Sequence, residues 1–230
     1  MITGLPLRPR GGFRPIGLFR GLYRVWARAR KGLVDDWARE LTRDRPMFTM
    51  TSGRKATDAV CRSQVRTVAA QHRCTVELDW DVAKCFEHVV RSKLRRKATD
   101  VGYPAAILRL SLALYAWKRY IRFTGGIVEE PALATRGVVA GLTFVVYEFL
   151  AYMFTEAKGL QDVLGSHGQV NIHVDDVAVV VQVDTPNQAA TRLEQAGSIL
   201  IEGFEHNLEL PFDKDKAFVV GKDRVATRLP

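Results

Sequence analysis

Two adjacent carboxylates lie between two apolar segments and give the clearest chemical signal in the sequence. Asp175 and Asp176 separate the segment 169–174 from the segment 177–183, and both segments contain the β-branched residues typical of strands. Because only the two acids separate these segments, the sequence predicts a β-hairpin with both carboxylates in its turn. Asp also tolerates ordinary turn geometry, so a purely structural pair is the competing interpretation.

A second group of acids ends another predicted strand. Residues 74–81 show an alternation of apolar and acidic side chains that finishes at Asp81. Crowded carboxylates repel one another, and a divalent cation such as Mg²⁺ relieves the repulsion because it prefers oxygen ligands. Two such ions about 3.5–4 Å apart stabilise the attacking and leaving oxygens of a phosphoryl transfer. We therefore expect Asp81, Asp175 and Asp176 to form a metal-dependent site. Asp79, two residues back from the strand end, is expected to lie outside it.

The elements that must position these carboxylates alternate between helix and strand patterns. Apolar side chains recur at helical spacing over residues 18–41. Further patterns predict helices over 57–71, 82–99, 104–120, after Gly141 and over 186–205, a hairpin over 119–130, and strands over 74–81, 169–174, 177–183 and 217–220. The adjacent hairpin strands indicate an α+β fold rather than a doubly wound parallel sheet.

The charge of the chain is positive and unevenly distributed. The 230 residues include 34 Lys and Arg against 25 Asp and Glu, a formal net charge of +9. Eight of the basic residues and no acidic residue lie within the first 34 positions. This segment predicts a polyanionic partner. A mitochondrial transit peptide is less favoured, because the segment has no serine and its Pro and Gly residues interrupt any leading helix.

The remaining composition favours an intracellular protein, nuclear or cytoplasmic, with no membrane partner. Three cysteines without CxxC spacing suggest neither a disulfide framework nor a zinc site. The most apolar run, 138–154, contains Glu148 and predicts a buried helix rather than a membrane span. No secretory hydrophobic region follows the start, so we expect the protein not to be secreted.

Five motifs follow one another along the chain. They are residues 13–24 (FRPIGLFRGLYR), 53–60 (GRKATDAV), 81–87 (DVAKCFE), 173–176 (HVDD) and Lys216 ahead of 217–221 (AFVVG). In this order they resemble the motifs of the reverse transcriptases, in particular the catalytic domain of non-LTR, LINE-like retroelements. The resemblance covers nearly the whole chain and depends on the order and spacing of the five, because each motif alone is weak.

The resemblance implies a palm-and-fingers polymerase fold with a mostly antiparallel palm sheet backed by helices. Residues 1–72 would form a fingers-like segment, and residues 73–90 the part of the palm with the first catalytic strand. Residues 91–130 would form a helical insertion and hairpin, and residues 131–230 the rest of the palm. Ten residues follow the last predicted strand, so a thumb is expected to be absent.

The resemblance also implies a catalytic and metal-binding set. Asp81 and Asp175 would bind two Mg²⁺ ions, or Mn²⁺ in their place, and Asp176 would support the site from the same turn. The backbone carbonyl of Val82 would add a ligand. Lys216 would act as a general acid toward the leaving pyrophosphate, with an ordinary surface lysine as the alternative.

Nucleotide and nucleic-acid contacts are implied in the same way. Arg14, Arg54, Phe86 and Gly141 are expected at the incoming nucleotide, and His173 and Arg24 at primer and template. A guanidinium suits a triphosphate because it binds phosphate in a bidentate manner. Phe86 occupies the position of an aromatic gate against the ribose 2′-hydroxyl. A core position for Phe86, solvated arginines and a local hydrogen bond of His173 are the structural alternatives.

The chain departs from the family pattern at several positions. Ala140 lies where the family has Gln, and the Pro and Ser of that motif are missing. His173 replaces a Tyr and Glu87 replaces an Asp. These changes concern template and primer contacts more than metal chemistry, because the three catalytic aspartates are present.

Residues and resemblance together predict a template-directed nucleotidyltransferase, an RNA-directed DNA polymerase that uses an RNA template, a DNA primer and dNTPs. The primer 3′-hydroxyl would attack the α-phosphate of a dNTP, and pyrophosphate would leave. The alternative is a truncated, catalytically inactive retroelement remnant that binds nucleic acid. An RNA-dependent RNA polymerase is a third interpretation, and Phe86 counts against it because such an enzyme must admit the 2′-hydroxyl.

Overall fold

The computed structural model describes residues 2–6, 13–19, 21–43, 74–123 and 126–221. Arg54 and the helix predicted over 57–71 lie outside the described residues. Helices and mainly antiparallel strands alternate along the described part of the chain, which confirms the α+β prediction.

One four-stranded sheet combines the start of the chain with the predicted hairpin. Its strands are β1 (Ile2–Pro6), β2 (Phe13–Gly17), β4 (Ile121–Phe123) and β5 (Gly126–Ile127). The order is β2-β1-β4-β5, with β1 parallel to β4 and the other pairs antiparallel. The hairpin is confirmed, whereas β1 and β2 were not predicted, because their Gly- and Pro-rich sequence shows no apolar alternation.

The second four-stranded sheet carries the predicted carboxylates. Its strands are β3 (Cys74–Asp81), β6 (Gly168–His173), β7 (Asp176–Val183) and β8 (Phe218–Gly221). The order is β6-β7-β3-β8 and every pair is antiparallel. The strand predicted over 74–81 is confirmed at both ends, and its apolar face is buried at Val76 and Leu78.

Six α-helices lie between the strands along the described part of the chain, and two of them, Val145–Leu164 and Pro186–Leu200, pack directly on the second sheet. The six are α1 (Gly21–Leu41), α2 (Cys85–His88), α3 (Arg91–Asp100), α4 (Ala105–Ala116), α5 (Val145–Leu164) and α6 (Pro186–Leu200), which continues as a π-helix (Ile201–Asn207). A capping box of Thr185 and Gln188, with Pro186 in the first turn, starts α6. Two 3₁₀ turns cover Gly165–His167 and Lys214–Lys216.

The helix α5 lies at the centre of the core, as the apolar run 138–154 predicts. Most of its first ten residues are buried, including Glu148, whose carboxylate accepts a hydrogen bond from the Tyr115 hydroxyl. The helix begins only at Val145, and residues 138–144 form a loop whose large apolar side chains are buried in the same core. Within the described residues, no helix is long and apolar enough to cross a membrane.

Candidate catalytic site

Asp81 and Asp176 lie directly opposite each other in the register of β3 and β7. Asp81 is the last residue of β3 and Asp176 the first residue of β7. On the other side of Asp176, His173 is its partner in the β6–β7 hairpin. The sheet topology therefore brings Asp81, Asp176 and His173, all predicted site residues, to one edge.

The hairpin turn consists of Val174 and Asp175 rather than of the two aspartates, which corrects the sequence prediction. Val174 adopts a φ of 61°, a left-handed conformation that costs a β-branched residue about 1–3 kcal/mol. Such φ values are what a two-residue hairpin turn requires, so the turn geometry outweighs the preference of valine. Asp176 consequently belongs to the strand, and Asp175 alone remains in the turn.

A backbone hydrogen bond ties this turn to the end of β3. The amide of Val82 donates to the carbonyl of Asp175 at 2.7 Å. Val82 is buried and pairs as an isolated bridge with Phe212. Because the bond fixes the turn next to Asp81, the three aspartates occupy one small region of the sheet edge.

The electrostatics of the cluster agree with this placement. Burial raises the pKa of Asp176, and the carboxylates of Asp175 and Asp81 raise it further. The buried Cys85 thiol feels the same charges, since burial first, then Asp175 and neighbouring carboxylates, raise its pKa to about 12. Cys85 is therefore a neutral thiol beside the cluster, a neighbour that its lone position in the sequence did not indicate.

Lys216 reaches the cluster from the 3₁₀ turn that precedes β8. Its ammonium lies 2.6 Å from Oδ2 of Asp81 and 3.2 Å from Oδ2 of Asp213. These two carboxylates raise the pKa of Lys216, and about half of its side chain is exposed. The backbone amide of Asp213 also donates to the carbonyl of Asp81. Asp213 was missed at the sequence level, although its i, i+3 spacing to Lys216 is a usable signal.

The residues fit a divalent cation in their chemistry but not in their present side-chain placement. Oxygen donors on a crowded, partly buried edge are what Mg²⁺ prefers. However, within the described part of the chain no group of three or more His, Cys, Asp or Glu side chains converges closely enough to hold a metal ion. In this arrangement the Asp81 carboxylate is bound by the Lys216 ammonium instead.

Phe86 lies next to the cluster on the short helix α2. Its ring packs edge-on against Phe149, with 5.4 Å between ring centroids, and it is half-buried. Its carbonyl accepts a hydrogen bond of 2.8 Å from the amide of Val138. Phe86 thus has the core contact of the structural alternative and also an exposed part beside the carboxylates.

The loop 136–141 is bound to the segment that follows Asp81. Arg91 donates to the carbonyls of Gly137 at 2.9 Å and Arg136 at 3.0 Å. The amide of Gly137 donates to the carbonyl of Val89 at 2.8 Å. The sequence did not indicate Arg91, whose contacts hold this loop beside Phe86.

Gly141 packs so closely against β2 that a side chain would not fit at this position without strain. It has a φ of 93°, and a Cβ there would lie 3.0 Å from the carbonyl oxygen of Gly17 and 3.1 Å from Ile16. The amide of Gly17 in turn donates to the carbonyl of Ala140 at 2.8 Å. The close approach of Gly141 in this structure is therefore to β2, the strand that carries Arg14, and its contact with the incoming nucleotide stays a prediction.

The predicted residues are only partly brought together. Asp81, Val82, Asp175, Asp176, His173 and Lys216 share the sheet edge, with Phe86 and the loop 136–141 beside them. Arg24 lies exposed on α1, where no described contact joins it to the cluster. Arg14 lies in β2, and Arg54 lies outside the described residues.

Solved structures of telomerases, which are reverse transcriptases, superpose on this fold. Apo telomerase from Candida tropicalis superposes with a TM-score of 0.68 at 9% identity, over 96% of this chain and 45% of that chain. A C-terminally truncated form of apo telomerase from the same organism superposes with a TM-score of 0.65 at 11% identity, over 96% of this chain and 50% of that chain. Telomerase from Candida albicans with a telomeric RNA fragment superposes with a TM-score of 0.64 at 14% identity, over 96% of this chain and 42% of that chain.

These similarities concern the fold and a part of the larger enzymes. The chain spans half or less of the length of each of these telomerases. Comparisons of the sequence with protein-family models and with curated proteins found no match. Together with the two sheets and their helices, the structural neighbours show that the chain has an α+β, reverse transcriptase-like fold of the palm-and-fingers kind.

Proposed function

We propose that the chain is the catalytic part of a template-directed nucleotidyltransferase of the reverse transcriptase class. The opposition of Asp81 and Asp176 across β3 and β7, with Asp175 in the adjoining turn, is the observation that carries the proposal. Carboxylates crowded at the edge of a sheet, where burial and the two neighbouring acids raise the pKa of Asp176, are suited to hold divalent cations for phosphoryl transfer. The telomerase-like fold supports the same class of reaction.

Mg²⁺, or Mn²⁺ in its place, is the proposed cofactor. Asp81 and Asp175 would hold it, with Asp176 and the carbonyl of Val82 in support. When bound, the cations would neutralise charge on the phosphates and on the attacking and leaving oxygens. The Lys216 ammonium binds Oδ2 of Asp81, so it would compete with a cation for that oxygen.

Lys216 has a second part in the proposal. Its ammonium is cationic, half-exposed and adjacent to the carboxylate that would bind metal. Released from Asp81, it is close enough to the site to contact the phosphates of the nucleotide and to give a proton to the leaving pyrophosphate. The 3₁₀ turn Lys214–Lys216 and the contact with Asp213 keep the side chain in this region.

The finer assignment is an RNA-directed DNA polymerase with RNA template, DNA primer and dNTP. Phe86 supports dNTP as substrate, because its half-exposed ring lies on the helix that follows Asp81, as expected of a gate against the 2′-hydroxyl. The LINE-like type is proposed from the five motifs alone, since the structural neighbours are telomerases.

The catalytically inactive remnant keeps one observation in its favour. The Asp81 carboxylate is paired with Lys216, and the described acids do not converge on a metal position. Such a protein would bind nucleic acid through its basic residues without turnover.

Template-dependent extension separates these functions. A DNA primer annealed to an RNA template is offered each dNTP singly with Mg²⁺, and the first unpaired template base is then changed. The proposal predicts that the incorporated nucleotide follows the template base. Incorporation that ignores the template contradicts the reverse transcriptase class, and binding of the hybrid without incorporation supports the remnant.

A further inference from the structure

A groove with an apolar floor lies between the beginning of α1 and the end of α4. Its volume is about 770 Å³, within the range of pockets that take a nucleotide-sized group. Its floor and walls include Phe19, Leu22, Trp26, Leu110, Leu114 and Val139. The groove is therefore an unfilled surface rich in aromatic and aliphatic side chains.

One side of the groove leads into an aromatic–basic strip, residues 117–122 (WKRYIR). Trp117 is 62% exposed and Tyr120 46% exposed, far more than aromatic rings in a core. Lys118 and Arg122 are exposed as well, and Trp117, Lys118 and Arg119 also line the groove. Trp117, Lys118 and Arg119 thus place one aromatic ring and two cationic side chains on the groove. Tyr120 and Arg122 continue the exposed strip along the chain.

The cationic charges of this strip are not neutralised by acids within the described part of the chain. Among the described residues, no acid forms an ion pair with Lys118, Arg119 or Arg122. The acids that follow the hairpin, Glu129 and Glu130, are exposed and form none either. Arg119 instead donates to the backbone carbonyl of Tyr115 at 3.2 Å, which fixes its side chain at the groove.

Exposed aromatic rings interleaved with cations match the chemistry of an unpaired nucleic-acid strand. Bases stack on aromatic rings, and the phosphates between them attract Lys and Arg. A duplex offers phosphates but no free base faces, and an apolar protein segment offers no anion for the cations. Charge complementarity therefore favours a single strand over either of these occupants.

The groove also adjoins the candidate catalytic site through shared segments. Gly17 and Val139 line it, and these two residues belong to the junction in which Gly17 donates to Ala140 beside Gly141. A strand lying in the groove would be held where β2 meets the loop 136–141. We propose that the groove and the aromatic–basic strip bind single-stranded nucleic acid, with an unpaired base stacked on Trp117.

This binding needs no catalysis, so it is tested apart from the proposed function. Fluorescence anisotropy with fluorescein-labelled dT₁₂ and U₁₂ measures the affinity of the full chain. We expect Trp117→Ala to weaken binding about tenfold or more, because stacking on one ring is lost. Trp117→Phe should stay within about twofold of wild type, because it keeps an aromatic face.

Matched controls separate stacking from general attraction. Leu133→Ala removes an apolar side chain that is 67% exposed but does not line the groove, and it should leave the affinity unchanged. Lys118→Ala should lower the slope of log affinity against log salt by about one, and Arg96→Ala, on α3, should not. Circular dichroism of each variant verifies the fold.

Three results would overturn the proposal. The first is that Trp117→Ala binds dT₁₂ and U₁₂ with wild-type affinity. The second is that Trp117→Phe loses as much affinity as Trp117→Ala. The third is that the wild type binds a blunt duplex of the same length as tightly as the single strand, or more tightly. Absence of primer extension by the wild type, with its binding of dT₁₂ and U₁₂ intact, would contradict the proposed catalysis and leave the groove assignment supported.

Discussion

Asp81 and Asp176 are direct cross-strand partners, so the register of a single antiparallel pair determines the distance between two proposed metal ligands. A shift of that register by one residue would turn one of these carboxylates to the other face of the sheet. The Val82–Asp175 hydrogen bond and the Val82–Phe212 bridge oppose such a shift, because they fix the strand end on both sides.

Lys216→Met should lower two kinetic quantities, each for its own reason. The maximal extension rate should fall about 100-fold, since a general acid is lost. The Mg²⁺ concentration for half-maximal rate should also fall, because Lys216 no longer competes for Asp81. Extension assays over a Mg²⁺ series measure both, and Lys214→Met, on the same turn, is the control. An unchanged Mg²⁺ requirement would show that the ion pair does not limit metal binding.

Phe86→Ala should reduce the preference for dNTP over rNTP by about tenfold or more, because a site that excludes a hydroxyl sterically loses its gate. Competing dNTP and rNTP incorporation measures the ratio. Phe218→Ala, an exposed aromatic residue of β8, should keep the wild-type ratio. An unchanged preference in Phe86→Ala would leave only the core role, in which the ring packs on Phe149.

Glu148→Gln should remove a pH dependence of stability. Burial raises the pKa of Glu148 to about 7, despite hydrogen bonds from Ser111 and Tyr115 that lower it. The unfolded chain ionises near pH 4.5, so the wild type should lose roughly 3 kcal/mol of unfolding free energy between that pH and about 7.

Urea unfolding across this pH range gives the unfolding free energy of each variant minus that of the wild type. This difference should grow with pH for Glu148→Gln, which stays neutral, and should not change with pH for the exposed Glu194→Gln. A parallel pH course of wild type and Glu148→Gln would mean that the buried carboxyl does not titrate as its surroundings imply.

Gly141→Ala should destabilise the protein by roughly 1–3 kcal/mol and lower extension, because its φ is 93° and a Cβ would press on the carbonyl of Gly17. Gly159→Ala is the opposite control. It lies within α5 with nothing near its Cβ position, so helix propensity predicts stabilisation of up to about 1 kcal/mol. Urea unfolding measures the stability of both variants. An unchanged stability of Gly141→Ala would contradict the close packing of Gly141 against Gly17 of β2.

Much of the second sheet could be predicted from the sequence. The alternation that ends at Asp81 and the two apolar segments around Asp175 identify strands directly, because the apolar side chains of each strand are buried in the core. The register could not be predicted, and neither could the turn, where Val174 takes a conformation that valine disfavours. Pairing with the neighbouring strands determines both the register and the conformation of the turn.

The rest of the site depends on contacts between distant segments. Lys216 was identified by its motif, yet its ion pair with Asp81 joins residues 135 positions apart. The clamp of Arg91 on Gly137 and the contact of Gly141 with Gly17 leave no periodic pattern in the sequence. The strands β1 and β2 were missed for the same reason, since their pairing rather than their composition makes them strands.

The central claim is that the aspartate cluster catalyses template-directed nucleotide addition. Single-nucleotide extension of a DNA primer on an RNA template tests it most directly, with wild type, Asp81→Asn and Asp175→Asn at saturating Mg²⁺. We expect each substitution to slow extension by about 1000-fold, because several kcal/mol of transition-state stabilisation depend on the metal ligands. The exposed Asp100→Asn should extend as wild type does. Equal extension by wild type and Asp175→Asn, or no extension by the wild type, would contradict the claim.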